Sequence, residues 1–236
     1  VYKRQIMLLL AMVIAALLNN SSLKGRGIYR TIIFLPCVTS LITYSVLFKI
    51  MLAPDGIVNK ILLSLHIISE PTNWLGDPFW AKLVIIFALV WRWTGYNMIF
   101  YLAGMQNIPS EVYEAATVDG ASKVRQFFSI TLPIITPTIL FNLITSIISS
   151  FQQVTLVMLL TGGGPLKSTY FYGLYTYNNA FKHHKLGYAS ANAWVMFIII
   201  LLLTALVFKS SSAWVFYETE AGGSKKQKKH KRGGRK

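Results

Sequence analysis

Apolar positions in this sequence are gathered into long blocks separated by short polar stretches. Four blocks are long, residues 31–52, 79–103, 134–160 and 189–208, and a fifth covers only residues 6–18. A bilayer core of about 30 Å takes about 20 helical residues, so each long block predicts a membrane-spanning helix and the fifth a span cut short. Backbone amides and carbonyls in lipid have no water to bond, which makes helices the expected state. The predicted fold is therefore all-α: a polytopic membrane helical bundle of about four full transmembrane helices plus one truncated N-terminal helix.

The polar stretches set the orientation. Segments 19–30, 104–133 and 209–236 hold fourteen Lys and Arg, against four in segments 53–78 and 161–188, which places the first set on the cytoplasmic side. Eight of the fourteen stand in the tail at 225–236. That tail reads as a solvated extension near anionic lipid heads, and no aromatic residues interleave with its charges, as nucleic-acid binding would want. Composition agrees with membrane: 54% hydrophobic and 13% charged, against about 25% charged in soluble domains. Three segments result: a membrane domain over 6–210, a basic cytoplasmic tail over 211–236, and residues 1–5. The last, VYKRQ, matches one reading frame of a common transposon sequencing adapter, so a scar replacing the native start is expected.

Segment 104–133 carries the most order. Ser110 reads as an N-cap with Glu111 and Glu114 in the first turns, Asp119-Gly120 breaks that helix, and a second amphipathic helix runs through Val124, Phe127, Phe128 and Ile130 to Pro133. Ala115, Ala116 and Ala121 are small enough to let another surface approach. A cytoplasmic helix-turn-helix made to dock is predicted.

Within the spans, Asn142, Ser146, Ser149 and Gln153 fall at i, i+4, i+7 and i+11, one helical stripe of uncharged hydrogen-bonding groups. Polar groups inside a span face a bundle interior or a water-filled path, so lining of a solute pathway competes with bonding to neighbouring helices. Trp93, Tyr96 and Asn97 add aromatic and amide groups suited to a sugar ring. Other features read as bland. GGGPLKST at 162–169 lacks the Gly directly before Lys that a phosphate loop needs. His183 and His184 are adjacent and diverge by about 100° on a helix, so no metal site is expected. His66 faces water and Cys37, the one cysteine, packs. No span carries a carboxylate, which weighs against an ion-coupled secondary transporter, although Arg92 lies mid-span.

The run Glu114-Ala115-Ala116, Asp119-Gly120-Ala121, Ile130, Leu132-Pro133 and Pro137 resembles the EAA loop of binding-protein-dependent ABC importer permeases. LKGRGIYRTIIFLP, PDGIVNKIL, NWLGDP and TGGGPLKST are similar to stretches of the carbohydrate-uptake branch related to maltose and glycerol-phosphate permeases. The resemblance implies an inner-membrane permease subunit that imports a sugar or sugar-like solute by alternating access, with a non-sugar solute as the alternative. It implies that Glu114 to Ala121 and Ile130, Leu132 and Pro133 dock on a dimer of ATPase subunits that hold ATP and Mg, with no cofactor on this chain. It implies a second permease subunit, likewise an extracytoplasmic solute-binding protein touching Gly162, Gly163, Gly164 and Pro165. Family members have six spans, which fits a lost N-terminus here.

Overall fold

The computed structural model describes residues 2–20 and 23–216; the polybasic stretch at 225–236 lies outside them. Every regular element among the described residues is helical. In chain order these are α1 (Tyr2–Asn19), α2 (Arg26–Val38), α3 (Leu41–Met51), α4 (Ile57–Ser64), α5 (Pro78–Gln106), α6 (Ser110–Val118), α7 (Lys123–Gln126), α8 (Leu132–Ile134), α9 (Thr136–Phe151), α10 (Thr155–Leu160), α11 (Tyr172–Tyr177) and α12 (Leu186–Ser211). π-helical turns at Phe127–Thr131 and Asn178–Lys182 follow α7 and α11. Among the described residues two helices, α5 and α12, are long and apolar enough to cross a membrane, and up to four spans exist if each bent pair is one.

The long helix α5 organises the rest. Asp77 caps it by accepting from the amides of Phe79 and Trp80 at 2.8 and 3.1 Å, and Pro78 starts it where its missing N–H costs nothing. Two cores are strung along it. Toward its C-terminal end, Met7, Ala11, Ala15 and Leu18 of α1 pack on Met98, Tyr101, Leu102 and Met105. The two alanines are fully buried, so the helices approach closely, as they must where lipid gives no hydrophobic drive to association. Toward its N-terminal end, Val84, Ile85 and Ala88 pack on Tyr44 and Phe48 of α3, Leu156 and Val157 of α10 and Leu174 of α11.

Two of the expected straight spans are broken. Block 31–52 divides into α2 and α3, bent by 97°. Pro36 lies inside α2 and Thr39 and Ser40 are extended, which frees carbonyls at the bend. Arg92 of α5 binds them: its guanidinium donates to the carbonyls of Pro36 at 2.6 Å, Thr39 at 2.8 Å and Cys37 at 3.0 Å, and lies 5.5 Å from the Tyr44 ring centroid. Gly95 brings α5 against the same bend, since a Cβ there would strike the Ile33 carbonyl. Block 134–160 is interrupted at 152–154, between α9 and α10, and α9 bends by 65° from the helical stretch before it. The first helix extends back to Tyr2 rather than starting at residue 6.

The connection at 53–77 is built on one side chain. Asn59, fully buried in α4, donates to the carbonyls of Ala53, Pro54 and Thr72 and accepts from the amide of Thr72 and from the Trp74 indole at 2.9 Å. The stretches PDGIVN and NWLGDP are thus two halves of one hydrogen-bonded unit.

Candidate functional site

Where the two cores meet, a cavity of about 350 Å³ opens between α1, α5, α9 and α11. Its walls are apolar along Ile85, Leu89 and Val90 and carry Trp93, Ser150, Gln153 and Tyr172 as polar or aromatic groups. Among the described residues no acidic or basic side chain lines it, so the arrangement suits an uncharged solute with hydroxyl groups. Of the residues the sequence singles out, the structure brings Trp93 and Gln153 to this cavity. Tyr96 stacks edge-on to Trp93 with centroids 5.6 Å apart, a layer behind it. Asn97 is buried and donates to the Trp93 carbonyl at 2.8 Å. Ser149 is turned to the Thr145 carbonyl at 2.7 Å, and Ser146 is buried in the helix packing. Asn142 is fully buried beside the Tyr101 hydroxyl, its polar neighbour on α5. The helix break after Phe151 explains the division, because Gln153 lies beyond α9 and no longer shares its stripe.

α6, α7 and the π-helical turn form a braced elbow. Gly120 takes φ +75°, and the amides of Gly120 and Ala121 bond the carbonyls of Thr117 and Ala116 in a Schellman closure. Buried Gln126 donates to the Thr117 hydroxyl and the Ala121 carbonyl, both at 3.0 Å, and the Tyr113 and Thr131 hydroxyls are paired at 2.8 Å. Two expectations need correction. Pro109, with extended backbone, occupies the cap position and Ser110 is already helical, so Ser110 makes no capping bond; Ser122 caps the second helix instead, accepting from the Arg125 amide. The second helix buries Gln126 and Thr131 and turns Val124 and Phe128 outward, because the bracing bonds come from polar side chains. Val118, Val124 and Phe128 are 87%, 67% and 61% exposed, and no side chain of α6 is buried. Glu114, Ala115, Asp119 and Gly120 lie on the exposed surface with Ala116 and Ala121 half-buried, while Ile130, Leu132 and Pro133 are half-buried in the stretch leading to α9.

In the segment between α10 and α11, Gly162 and Gly163 have φ of +63° and +92°, which turns the chain sharply ahead of Gly164 and Pro165. Thr169 ties the turn, bonding the Gly164 carbonyl and the Thr161 hydroxyl at 2.7 Å each. Next to it the Tyr175 and Tyr188 hydroxyls share a 2.9 Å bond that raises Tyr175 above its ordinary pKa. Among the described residues no cluster of His, Cys, Asp or Glu could hold a metal ion.

Asn59, Gly95 and Gln126 are residues that reading by blocks does not find, and Arg92, a charge noted in the middle of a span, is not assigned its structural role by it. Asn59 has a signal in the turn motif around it.

The family described as "Binding-protein-dependent transport system inner membrane component" matches residues 7–216. The lactose transport system permease protein LacF of Rhizobium radiobacter is 48% identical over 206 residues, covering 86% of this chain and 69% of that one. The trehalose/maltose transport system permease protein MalF of Thermococcus litoralis is 36% identical over 195 residues, covering 82% and 65%. Among solved structures, a bacterial ABC transporter involved in import of the acidic polysaccharide alginate matches with a TM-score of 0.76 at 26% identity, over 86% of this chain and 72% of that one. The alginate transporter has also been solved with a pentasaccharide-bound periplasmic protein, and that structure matches equally well by TM-score.

Proposed function

We propose, from the premise that this chain belongs to the family of binding-protein-dependent transport system inner membrane components, that it is the permease subunit of an ATP-driven importer carrying a sugar or sugar-like solute across the inner membrane. The observation that carries this reading is the pairing of an uncharged, aromatic-walled cavity at mid-bundle with a braced inner elbow whose apolar side chains Val118, Val124 and Phe128 are uncovered. The sugars in the names of the two relatives support the solute class. Residues 6–210 form the membrane domain with four spans, two of them bent, and 211–236 a basic cytoplasmic extension.

In this reading α6 and α7 are the coupling elbow. Its exposed surface, from Glu114 to Ala121, seats in a cleft of an ATPase subunit, which holds ATP and Mg, and a second permease subunit completes the pathway. Internal bonds through Gln126 and Tyr113 let the elbow move as a unit, so closure of the ATPase dimer shifts the helices it joins. Each ligand biases the two states only through its different affinity for them. Outside, the turn at Gly162–Pro165 meets a solute-binding protein, and Gln153 and Trp93 receive the solute. Arg92 takes no part in ion coupling, because three backbone carbonyls already engage its guanidinium.

The test is uptake in proteoliposomes holding this chain, its partner permease, the ATPase and the binding protein. Uptake is expected to need ATP hydrolysis and to survive collapse of the proton gradient. Uptake that continues without ATP and stops with the gradient would refute the proposal.

A further inference from the structure

Between the glycine turn and the cavity lies a cluster of tyrosines that neither place accounts for. The Tyr170 ring covers Gly163, so that a Cβ on Gly163 would strike it. From Tyr170 the next ring is Tyr175, with centroids 6.2 Å apart, and Tyr175 in turn lies 6.4 Å from Tyr172 and 6.3 Å from Tyr188. Tyr172 also lines the cavity. The rings therefore make an unbroken series from the outer turn to the cavity wall.

Their hydroxyls are fixed. Tyr175 and Tyr188 bond each other at 2.9 Å, Tyr172 donates to the Asn192 carbonyl at 3.0 Å, and Tyr170 accepts from the Asn178 amide at 2.8 Å. A tyrosine that merely anchors a helix end at a lipid interface turns its hydroxyl toward the headgroups. Here the hydroxyls are bonded within the protein, which locks ring orientation, while Tyr172 and Tyr188 keep exposed ring surface. Rigid rings with fixed polar tips give large contact area at little entropic cost.

We propose that Tyr170, Tyr172, Tyr175 and Tyr188 form an outer saccharide subsite that grips the solute between the glycine turn and the cavity. The proposal rests on the reading of the chain as a sugar permease. The apolar C–H face of a pyranose lies on Tyr172 and Tyr188, and its hydroxyls reach the tyrosine oxygens. A solute longer than one sugar ring spans this subsite and the cavity together, so the subsite favours oligosaccharides over single sugars.

The experiment measures uptake kinetics of the complete transporter in proteoliposomes with radiolabelled lactose, maltose and raffinose. Tyr188→Ala and Tyr175→Ala are expected to raise KM about tenfold for a carried sugar, with kcat and binding-protein-stimulated ATP hydrolysis unchanged. Tyr175→Phe, which keeps the ring but removes the hydroxyl bond to Tyr188, is expected to show a smaller rise of about threefold. If an alanine variant fails to assemble, Tyr188→Leu keeps the bulk without the flat face and is expected to show the same rise. Wild-type uptake with an unchanged KM in the alanine or leucine variants overturns the subsite alone. A wild-type transporter that carries none of the three sugars overturns the solute class and the subsite with it.

Discussion

Replacing Arg92 with Met tests what holds the bend between α2 and α3. The side chain is of similar length and apolar, so the change removes three charge-assisted bonds and little volume. Hydrogen bonds to charged groups contribute about 1.5–3 kcal/mol each, roughly 5–9 kcal/mol for the bonds to Pro36, Cys37 and Thr39. Against this, placing an arginine in the bilayer costs about 2.5–3.5 kcal/mol on an insertion scale, a cost that Met removes. The difference predicts a loss of about 2–5 kcal/mol. Equilibrium unfolding in mixed micelles measures it, and Arg92→Lys is expected to recover only part, since an ammonium is compact and lacks the planar fork. An Arg92→Met protein as stable as wild type would refute the reasoning, for it would mean that the freed carbonyls find other partners.

Further outcomes follow from other positions. Asn59→Ala removes the shared partner of five hydrogen bonds in the outer connection and is expected to destabilise by about 2–4 kcal/mol, with faster proteolysis confined to 53–77. Gly120 has φ +75° and open space around a would-be Cβ, so Gly120→Ala and Gly120→Leu pay the same backbone strain of about 1–2 kcal/mol. Only the leucine is expected to uncouple ATP hydrolysis from uptake, and equal coupling in both would remove the elbow from the docking surface. Gln153→Ala is expected to raise KM for uptake, because Gln153 lines the cavity.

Helix existence and membrane placement were legible because bilayer thickness imposes a block length that sequence displays directly. The breaks were not legible. A single proline such as Pro36 is tolerated in a span when other groups satisfy the freed backbone, and here the satisfying group, Arg92, is 56 residues away. The polar stripe was read on the assumption of one straight helix through Gln153. The interruption at 152–154 turned that residue into the cavity and left Asn142 within packed helices. The elbow was visible as two helices about Gly120, yet its bracing depends on Gln126, a residue that no periodicity marks.

Most helices among the described residues are short or bent, while α5 runs 29 residues without interruption, about 43 Å at 1.5 Å per residue. It behaves as a strut. A push delivered at Gln106, next to the inner elbow, has no flexible joint along α5 in which to dissipate. It must emerge as tilt at the Pro78 end, carrying the tryptophans and the outer connection with it. The hollow at Trp93 lies near the midpoint, where a pivoting rod travels least, so under the proposed importer reading the chamber is re-angled without being crushed.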